Sequence, residues 1–441
     1  MTTVKAPPAA GLRSATAVVT LVAIAAAALG IGVRSTFGAH VAVDEPQYLL
    51  TALSLAEDLS LDISDELAER RYVPWGGEEL PVQTEILADG SQISPHDPLL
   101  PIILALPMRL GGWVAAKATM ALLAGALAAL TLWTAVRRFA VPPKIATAGV
   151  AVAAAGAPLA VYGQQIYPEL PAALATVAAV AFLGRRPWWF AWAVVALPWL
   201  SVKYVPVAAA LAAVGLWRTR SRSLPVFFAA MGVVYLVVHR WIWGGWTVYA
   251  TGDHFQGSGE WGVMGFAPDY AGRALRLTGL MVDQGYGLAA WQPAWLLLVP
   301  AAAMALRDRR PELLAPVAAG WLTAVFVAVT MHGFWWPGRQ LVVVLPLALI
   351  LILCWLDRTW KQVAAAALGL AGVVTYAWLA ADGLAGRITW VARFQEVASP
   401  AYQAVKGVLP DYRRPGFWPL HVAWLAVFVL LFLLNLRKSH A

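Results

Sequence analysis

Apolar segments alternate with short polar turns along almost the whole chain. Each segment approaches the length of about 20 residues that an α-helix needs to cross a membrane. The pattern predicts an all-α polytopic membrane protein, a single transmembrane domain over residues 1–441 with about 11–13 spanning helices. We place spans at 14–34, 113–136, 145–163, 169–184, 188–201, 203–217, 224–243, 287–306, 313–331, 340–356, 362–380 and 420–436. Full crossing is left open for the short pair at 188–201 and 203–217.

Basic residues are concentrated in alternate turns between these segments. Because cytoplasmic loops collect Lys and Arg, we place these turns and both termini in the cytoplasm. The first apolar segment is flanked by Lys5 and Arg13 and lacks a small-residue cleavage site, so we interpret it as a retained helix. The basic turns are 137–144, 185–186, 218–222, 307–310, 358–361 and 437–438.

One apolar segment does not fit this alternation. Residues 98–112 are rich in proline and interrupted by Arg109. Counting them as a span would place the basic pair at 137–138 outside, against the rule for basic turns. We therefore expect a helix that lies in the outer interface.

Three long segments then face outward: 35–112, 244–286 and 381–419. The first holds thirteen Asp or Glu residues between 35 and 97, against two arginines, and we expect it to carry short interfacial helices. Long outward loops in a compact membrane protein are usually functional. We therefore expect catalytic or binding residues in this first acidic loop.

The amino-acid composition excludes several classes of protein. The chain is 60% hydrophobic and 13% charged, with a mean hydropathy of +0.67, whereas soluble proteins carry about a quarter charged residues. The basic residues behind the net charge of +8 lie in the turns between helices. This distribution is typical of membrane topology and not of a nucleic-acid-binding groove, so we expect no nucleic-acid partner. The single Cys354 excludes a disulfide framework and a thiolate metal site.

Common cofactor and catalytic motifs are absent from the sequence, including the P-loop, HExxH, GxSxG and Cys/His clusters with metal-ligand spacing. We therefore predict that no cofactor is required and that no metal site is specified. Acidic outer loops can hold Mg²⁺ or Mn²⁺ through oxygen ligands, but no spacing here indicates such a site. Span centres with few charges argue against a proton-coupled transporter.

Two adjacent carboxylates, Asp44 and Glu45, follow the first span directly. A carboxylate close to the hydrocarbon edge is costly unless it has a partner or a chemical role. The structural alternative is that Asp44, with Pro46 after it, caps a helix that runs to Leu59. Capping and chemistry are compatible at this position.

The segment VDEPQYLLTALSLAEDLSLDI resembles the first outer loop of GT-C glycosyltransferases, in particular the protein O-mannosyltransferase and lipid A aminoarabinose transferase group. In that group, a HPPL-like or KPPL-like segment closes the loop. Here it reads SPHDPLLPIILAL, with His96 and a broken proline doublet. VYGQQIYPELPAAL, with Glu169, resembles the next outer turn. LMVDQGYGLAAWQPAWLLL and HGFWWPGRQLVVVLPL resemble segments of actinobacterial GT-C-like proteins.

The resemblance implies a GT-C-like bundle that takes a sugar from a polyprenyl-phosphate donor in the outer leaflet. Asp44 and Glu45 would be the catalytic residues: Asp44 would be the base that accepts the acceptor's proton, and Glu45 would orient the loop or contact the acceptor. Cations would stabilise the leaving phosphate. The candidate cations are Arg339, Lys203 and His96, and the candidate sugar- or acceptor-binding residues are Tyr48, Gln165, Glu169, His332 and Trp336.

Several of these residues have structural alternatives. Lys203 could extend from a short helix to the interface, and Arg339 could anchor a lipid headgroup. His332 could be an interfacial residue, and Glu169 could cap its helix. Trp336 could belong to an aromatic belt at the membrane surface.

The sequence thus predicts a glycosyltransferase of a bacterial plasma membrane, with its active site on the extracytoplasmic side. Its acceptor would be a cell-envelope glycan, lipid or protein, and a composition rich in Ala, Gly, Arg and Trp suggests an actinobacterial cell wall or lipoglycan. Two alternatives stay open: a transporter or flippase of lipid-linked sugars, and a non-catalytic GT-C-like scaffold of an envelope assembly complex. The sugar, the linkage and the oligomeric state are not specified.

Overall fold

A computed structural model describes residues 9–437, apart from Val82, residues 249–269 and Val329. The chain is almost entirely helical, as its apolar segments predict. The helices are α1 Ala9–Leu29, α2 Glu45–Glu57, α3 Ser64–Ala68, α4 Val73–Gly76, α5 Leu99–Phe139, α6 Pro143–Ala154, α7 Leu159–Tyr162, α8 Glu169–Phe182, α9 Pro187–Leu200, α10 Val205–Thr219, α11 Ser223–Ile242, α12 Tyr270–Ala274, α13 Arg276–Val282, α14 Leu288–Trp291, α15 Leu298–Arg307, α16 Pro311–Leu322, α17 Leu345–Trp355, α18 Thr359–Leu384, α19 Pro400–Lys406 and α20 Trp418–Leu436.

Short 3-10 or π turns connect or extend several helices: Val202–Tyr204, Pro293–Leu297, Thr323–Val327, Arg339–Leu341 and Phe394–Glu396. Two strands of two residues each, β1 Glu85–Ile86 and β2 Gln92–Ile93, pair antiparallel within the first outer segment.

Five of the described helices are long and apolar enough to cross a membrane, namely α1, α5, α11, α18 and α20. Six shorter apolar helical segments accompany them. Several predicted spans are interrupted where proline or glycine occurs, because proline removes a backbone donor and ends a regular helix. The expected span at 145–163, for example, is divided into α6 and α7 on either side of Pro158.

The segment expected as a separate helix at 98–112 forms the first part of α5. The helix is broken at Gly111 and at Gly112, whose φ of 60° and ψ of −154° suit only glycine. The break falls where the sequence predicts the start of the next span. The two parts of α5 thus follow one another directly.

The three long segments that the sequence predicts to face outward differ in how much of them the structure describes. The first holds α2, α3, α4 and the two strands, so the expected short helices are present. Much of the second, 244–286, lies outside the described residues, and α12 and α13 form its described end. The third packs onto the end of α1, where the backbone of Trp390 donates to the carbonyl of Arg34 at 3.0 Å.

Basic turns that the sequence assigns to the cytoplasm meet one another in the structure. Arg185 donates to the carbonyl of Arg137 at 3.5 Å, and Arg218 pairs with Glu312 at 2.9 Å. None of these residues contacts Asp44 in the hydrogen bonds of the described residues. The side of the membrane that these turns face stays a prediction.

Candidate active site

Four charged side chains from distant parts of the chain form one continuous network. Arg339 donates from Nη2 to Asp44 Oδ2 at 2.6 Å and from Nε to Glu169 Oε1 at 2.8 Å. Lys203 donates from Nζ to the same Glu169 oxygen at 2.6 Å. The side chain of Glu169 is fully buried, and that of Asp44 is 18% exposed. The network therefore has one buried side and one accessible edge.

Each member of the network lies where a helix begins or is interrupted. Asp44 immediately precedes α2, and Glu169 is the first residue of α8. Lys203 lies in the 3-10 turn between α9 and α10. Arg339 opens a 3-10 turn after Gly338, whose φ of 80° favours glycine. Polar backbone at these helix ends surrounds charges that would be costly within an apolar span.

The guanidinium of Arg339 is the centre of the network. Its fork binds two different carboxylates, a geometry that a lysine ammonium cannot reproduce. It also lies over the ring of Tyr167, with 4.0 Å between the guanidinium carbon and the ring centroid. Ion pair and ring contact together fix the orientation of Arg339.

These cations change the acidity of Asp44. Burial alone would raise the pKa of Asp44, but the Arg339 charge, followed by those of His96 and Lys203, outweighs burial and lowers the pKa to about 2. Asp44 is therefore ionised at neutral pH. While it is bound to Arg339, it is also a weak base.

Asp44 occupies the N-cap position of α2, but its side chain makes no capping hydrogen bond. The structural alternative drawn from the sequence is wrong in this respect, because the carboxylate points to Arg339 and not to the helix backbone. The helix also ends at Glu57, two residues before the expected Leu59.

Glu45 is a structural anchor and not an accessible catalytic group. Its side chain is buried, and Oε2 accepts from Ser35 Oγ at 2.8 Å and from the backbone of Ala42 at 3.1 Å. Oε1 accepts from the backbone of Ile166 at 2.9 Å and lies 4.0 Å from Lys117 Nζ. The catalytic assignment of Glu45 is thus corrected to the alternative expectation, that it orients the loop.

Lys117 was missed by the sequence reasoning, although it is a lone lysine within a predicted span. It is fully buried, and its Nζ donates to the carbonyl of His40 and to Gln164 Oε1, each at 3.1 Å. Its position inside an apolar helix was the signal, since such residues require a partner. Lys117 thus provides a buried positive charge next to Glu45.

Glu45→Gln is expected to destabilise the protein more than Asp44→Asn. The amide would leave the buried Lys117 without its counter-charge, and breaking a buried pair commonly costs about 3–5 kcal/mol. Thermal unfolding of the two purified variants tests this order. Equal midpoints for both would contradict the anchoring role.

His96 and Tyr48 lie beside Asp44. The His96 ring packs on Tyr48 with 4.4 Å between centroids, and its Nδ1 is 2.7 Å from Ser94 Oγ. His96 is close enough to Asp44 to contribute to lowering the pKa of Asp44. Binding of the donor phosphate by His96, and of sugar or acceptor by Tyr48, stays a prediction.

Asp97, next to His96, has a positioning role that the sequence did not indicate. It accepts from the backbone of Val202, from Tyr235 OH and from His239 Nε2, each at 2.9 Å. Val202 begins the turn that carries Lys203. Asp97 thus joins the end of the outer loop to the Lys203 turn.

The remaining predicted binding residues have different surroundings. Gln165 is buried next to Ile166, and its side-chain oxygen has no hydrogen-bond donor within the described part of the chain. His332 contacts Asp283, at 3.4 Å, and the ring of Tyr286. Direct contact of either residue with a sugar stays a prediction.

Trp336 is completely buried in an aromatic cluster with Trp291, Trp390 and Phe394. Its backbone carbonyl accepts from Tyr162 OH at 2.6 Å. Both ring faces meet protein, so this placement does not support sugar stacking. The turn that carries Arg339 is anchored by this cluster.

A large apolar cavity lies apart from the network. It measures about 340 Å³ and is lined by α6, α17 and α18, with Lys144, Gln292 and Gln362 as polar lining residues. None of these residues contacts Asp44 or Arg339 in the hydrogen bonds of the described residues.

The bundle and the outer segment that carries Asp44 define a polytopic membrane protein of the GT-C fold. The chain is similar to the crystal structure of ArnT from Cupriavidus metallidurans in the apo state, with 15% identity and a TM-score of 0.50. The match covers 96% of this chain and 77% of that one. No protein-family model and no curated protein matches the sequence. The predicted GT-C-like, all-α membrane fold is confirmed.

Proposed function

We propose that this protein is a glycosyltransferase that moves a sugar from a polyprenyl-phosphate donor to a cell-envelope glycan, lipid or protein. The observation that carries the proposal is the network of Asp44, Arg339, Glu169 and Lys203 at helix ends of a GT-C fold. It combines a partly accessible carboxylate with two cations. Proton abstraction and phosphate stabilisation require these two kinds of group.

In the proposed step, an acceptor hydroxyl attacks the anomeric carbon of the donor sugar. The hydroxyl proton passes to the Asp44 carboxylate as the new carbon–oxygen bond forms. The bond between the anomeric carbon and the phosphate oxygen breaks, and its electron pair leaves with the polyprenyl phosphate. Arg339 and Lys203 stabilise the negative charge that develops on this leaving group.

Arg339 links donor binding to the basicity of Asp44. In the free protein its Nη2 is bound to Asp44, and its Nε is bound to Glu169. A donor phosphate that takes the Nη2 contact would release Asp44 from its hydrogen bond, and its negative charge would offset the Arg339 charge, which is the largest influence that lowers the pKa of Asp44. Glu169 would hold Arg339 in place during this exchange. Asp44 would thus become a competent base only when the donor is bound.

A donor panel tests the proposed function. Membranes that contain the protein are incubated with polyprenyl-phosphate sugars, each labelled in the sugar, and with acceptor extracts from the same envelope. We expect label from one donor class to appear in acceptor material. Soluble nucleotide sugars serve as matched donors without the lipid. Transfer from nucleotide sugars alone would contradict the assignment.

The two pH profiles of the reaction should differ on the acidic side. The free-enzyme pKa of Asp44 is about 2, so protonation of Asp44 should not lower kcat/KM between about pH 7 and pH 4. In the donor complex, Asp44 is released and its pKa is higher. The kcat profile should therefore fall at a higher pH than the kcat/KM profile. Initial rates are measured over this pH range with a neutral hydroxyl acceptor. Low donor concentrations give the kcat/KM profile, and saturating donor concentrations give the kcat profile.

If kcat and kcat/KM fell at the same acidic pH, the proposed replacement of Asp44 by the donor phosphate at Arg339 would be contradicted. Unfolding measured over the same pH range separates a true titration from loss of the fold.

A further inference from the structure

A group of three carboxylates lies at the other end of α2 from Asp44. Asp58 follows the last residue of α2, and Asp65 and Glu66 lie in the first turn of α3. One oxygen from each residue lies within 4.8 Å of the others. Ca²⁺ binds oxygen at about 2.3–2.6 Å, so ligands on opposite sides of one ion are about 4.6–5.2 Å apart. The spacing therefore suits three ligands around a single ion.

Glu66 is the unusual member of the group. It is 1% exposed, and neither carboxylate oxygen accepts a hydrogen bond from a donor within the described residues. A buried carboxylate without a partner is costly, since it loses its hydration and gains nothing in exchange. Asp58 and Asp65 are exposed, so they leave the group open to solvent.

The arginines of this outer segment form their ion pairs with other carboxylates, and Arg71 acts on Asp65 and Glu66 only through its charge, without an ion-pair contact. Arg71 pairs with Glu57 at 3.1 Å and with Glu69 at 3.6 Å. Arg70 pairs with Glu78 at 2.7 Å. Among the ion pairs described for the segment, none therefore neutralises the three carboxylates.

We propose that Asp58, Asp65 and Glu66 bind one hard divalent cation, of which Ca²⁺ fits best. The group offers only oxygen, which suits hard cations and not the softer metals that favour Cys or His. Ca²⁺ tolerates an irregular shell completed by water, whereas Mg²⁺ requires a near-octahedral one. The two exposed aspartates leave room for such waters.

The cation would join the end of α2 to the start of α3. With 13 residues, α2 is about 20 Å long, so the ion would not touch Asp44 at its other end. Its expected effect is on the stability of the outer segment and not on the chemical step. This inference is thus independent of the proposed glycosyl transfer.

Calcium binding to the full-length protein tests the inference. The purified protein in detergent is stripped with EDTA, and binding of ⁴⁵Ca²⁺ is measured by equilibrium dialysis, with Mg²⁺ as a competitor. We expect one Ca²⁺ per chain and a higher unfolding midpoint in Ca²⁺ than in EDTA. Asp65→Asn, at an exposed position, should weaken binding roughly tenfold or more, because ligand charge sets Ca²⁺ affinity.

Glu66→Gln separates a binding role from a packing role. It keeps the shape of the side chain but removes the buried charge. We expect Ca²⁺ binding to be lost, while the unfolding midpoint in EDTA equals or exceeds that of the wild type. A purely structural carboxylate would give a lower midpoint. Glu78→Gln, an exposed carboxylate paired with Arg70, is the matched control and should bind Ca²⁺ as the wild type does.

Two results would overturn the inference. Equal Ca²⁺ binding by the wild type and the Asp65→Asn/Glu66→Gln double variant would leave Glu66 as a buried, protonated acid only. Mg²⁺ that displaces Ca²⁺ at equal concentration would overturn the choice of Ca²⁺.

Discussion

Asp44→Asn is expected to lower sugar transfer roughly 10²–10⁴-fold, the contribution that a positioned general base commonly makes. Asn retains an oxygen that can accept from Arg339 Nη2, and Glu169 keeps its ion pair with the same guanidinium. The fold should therefore persist while the base is lost. Initial transfer rates of the purified variant, with its unfolding midpoint, measure the two effects separately.

Asp89→Asn is the control for this prediction. Asp89 is an exposed carboxylate of the same outer segment, hydrogen-bonded to Ser91, and its loss should leave transfer unchanged. Near-normal transfer by Asp44→Asn would remove Asp44 from the catalytic step. Since the Asp44 side chain caps nothing, a loss of stability could not be attributed to the helix N-terminus.

Arg339→Lys is expected to weaken donor binding by roughly 10–100-fold. Lysine keeps the positive charge but has no fork, so it cannot hold Glu169 and a phosphate in the same geometry. A hydrogen bond to a charged group is commonly worth about 1.5–3 kcal/mol. Equilibrium binding of a labelled polyprenyl-phosphate sugar to the purified variant measures the loss.

Arg339→Ala is less informative about the donor. It would leave Glu169 fully buried with Lys203 alone and Asp44 without its pair, and breaking a buried pair commonly costs about 3–5 kcal/mol. Arg393→Lys is the control, because Arg393 is an exposed arginine that pairs with Glu396 at 2.6 Å. Unchanged donor affinity in Arg339→Lys would reassign Arg339 to a structural role.

Much of the architecture could be predicted from sequence because hydrophobic length and basic turns are properties of single segments. The helix break at Gly111 and Gly112, for instance, falls where the polar pattern divides 98–112 from the next span. The alternation also predicts that Asp44, Lys203 and Arg339 lie on the same side of the bundle, and Arg339 and Lys203 do meet at Glu169, with Asp44 bound to Arg339. Local patterns were sufficient for these features.

Partners within the site could not be predicted in the same way. Asp44 and Arg339 are 295 residues apart in sequence, and no local pattern shows which carboxylate an arginine will meet. Asp44 and Glu45 look alike in sequence, yet one faces Arg339 and the other is enclosed by backbone donors and Lys117. Only the packed fold distinguishes their roles.

Trp336 and the carboxylates beyond α2 show the same limit. A tryptophan at a predicted outer end fits a membrane belt, a sugar platform or a core, and burial alone decides that Trp336 belongs to the core. Asp58, Asp65 and Glu66 have no metal-site spacing in sequence. They come together because α2 ends next to the start of α3.

Cleavage of the donor distinguishes glycosyl transfer from transport and from a scaffold role. Purified protein in liposomes is supplied with a polyprenyl-phosphate sugar, labelled in both the sugar and the phosphate, and with envelope acceptor. We expect free polyprenyl phosphate in equal amount to the sugar found on the acceptor, and a roughly 10²–10⁴-fold slower release with Asp44→Asn. Donor that stays intact throughout, whether or not it moves between leaflets, would contradict the account and favour a flippase or a scaffold.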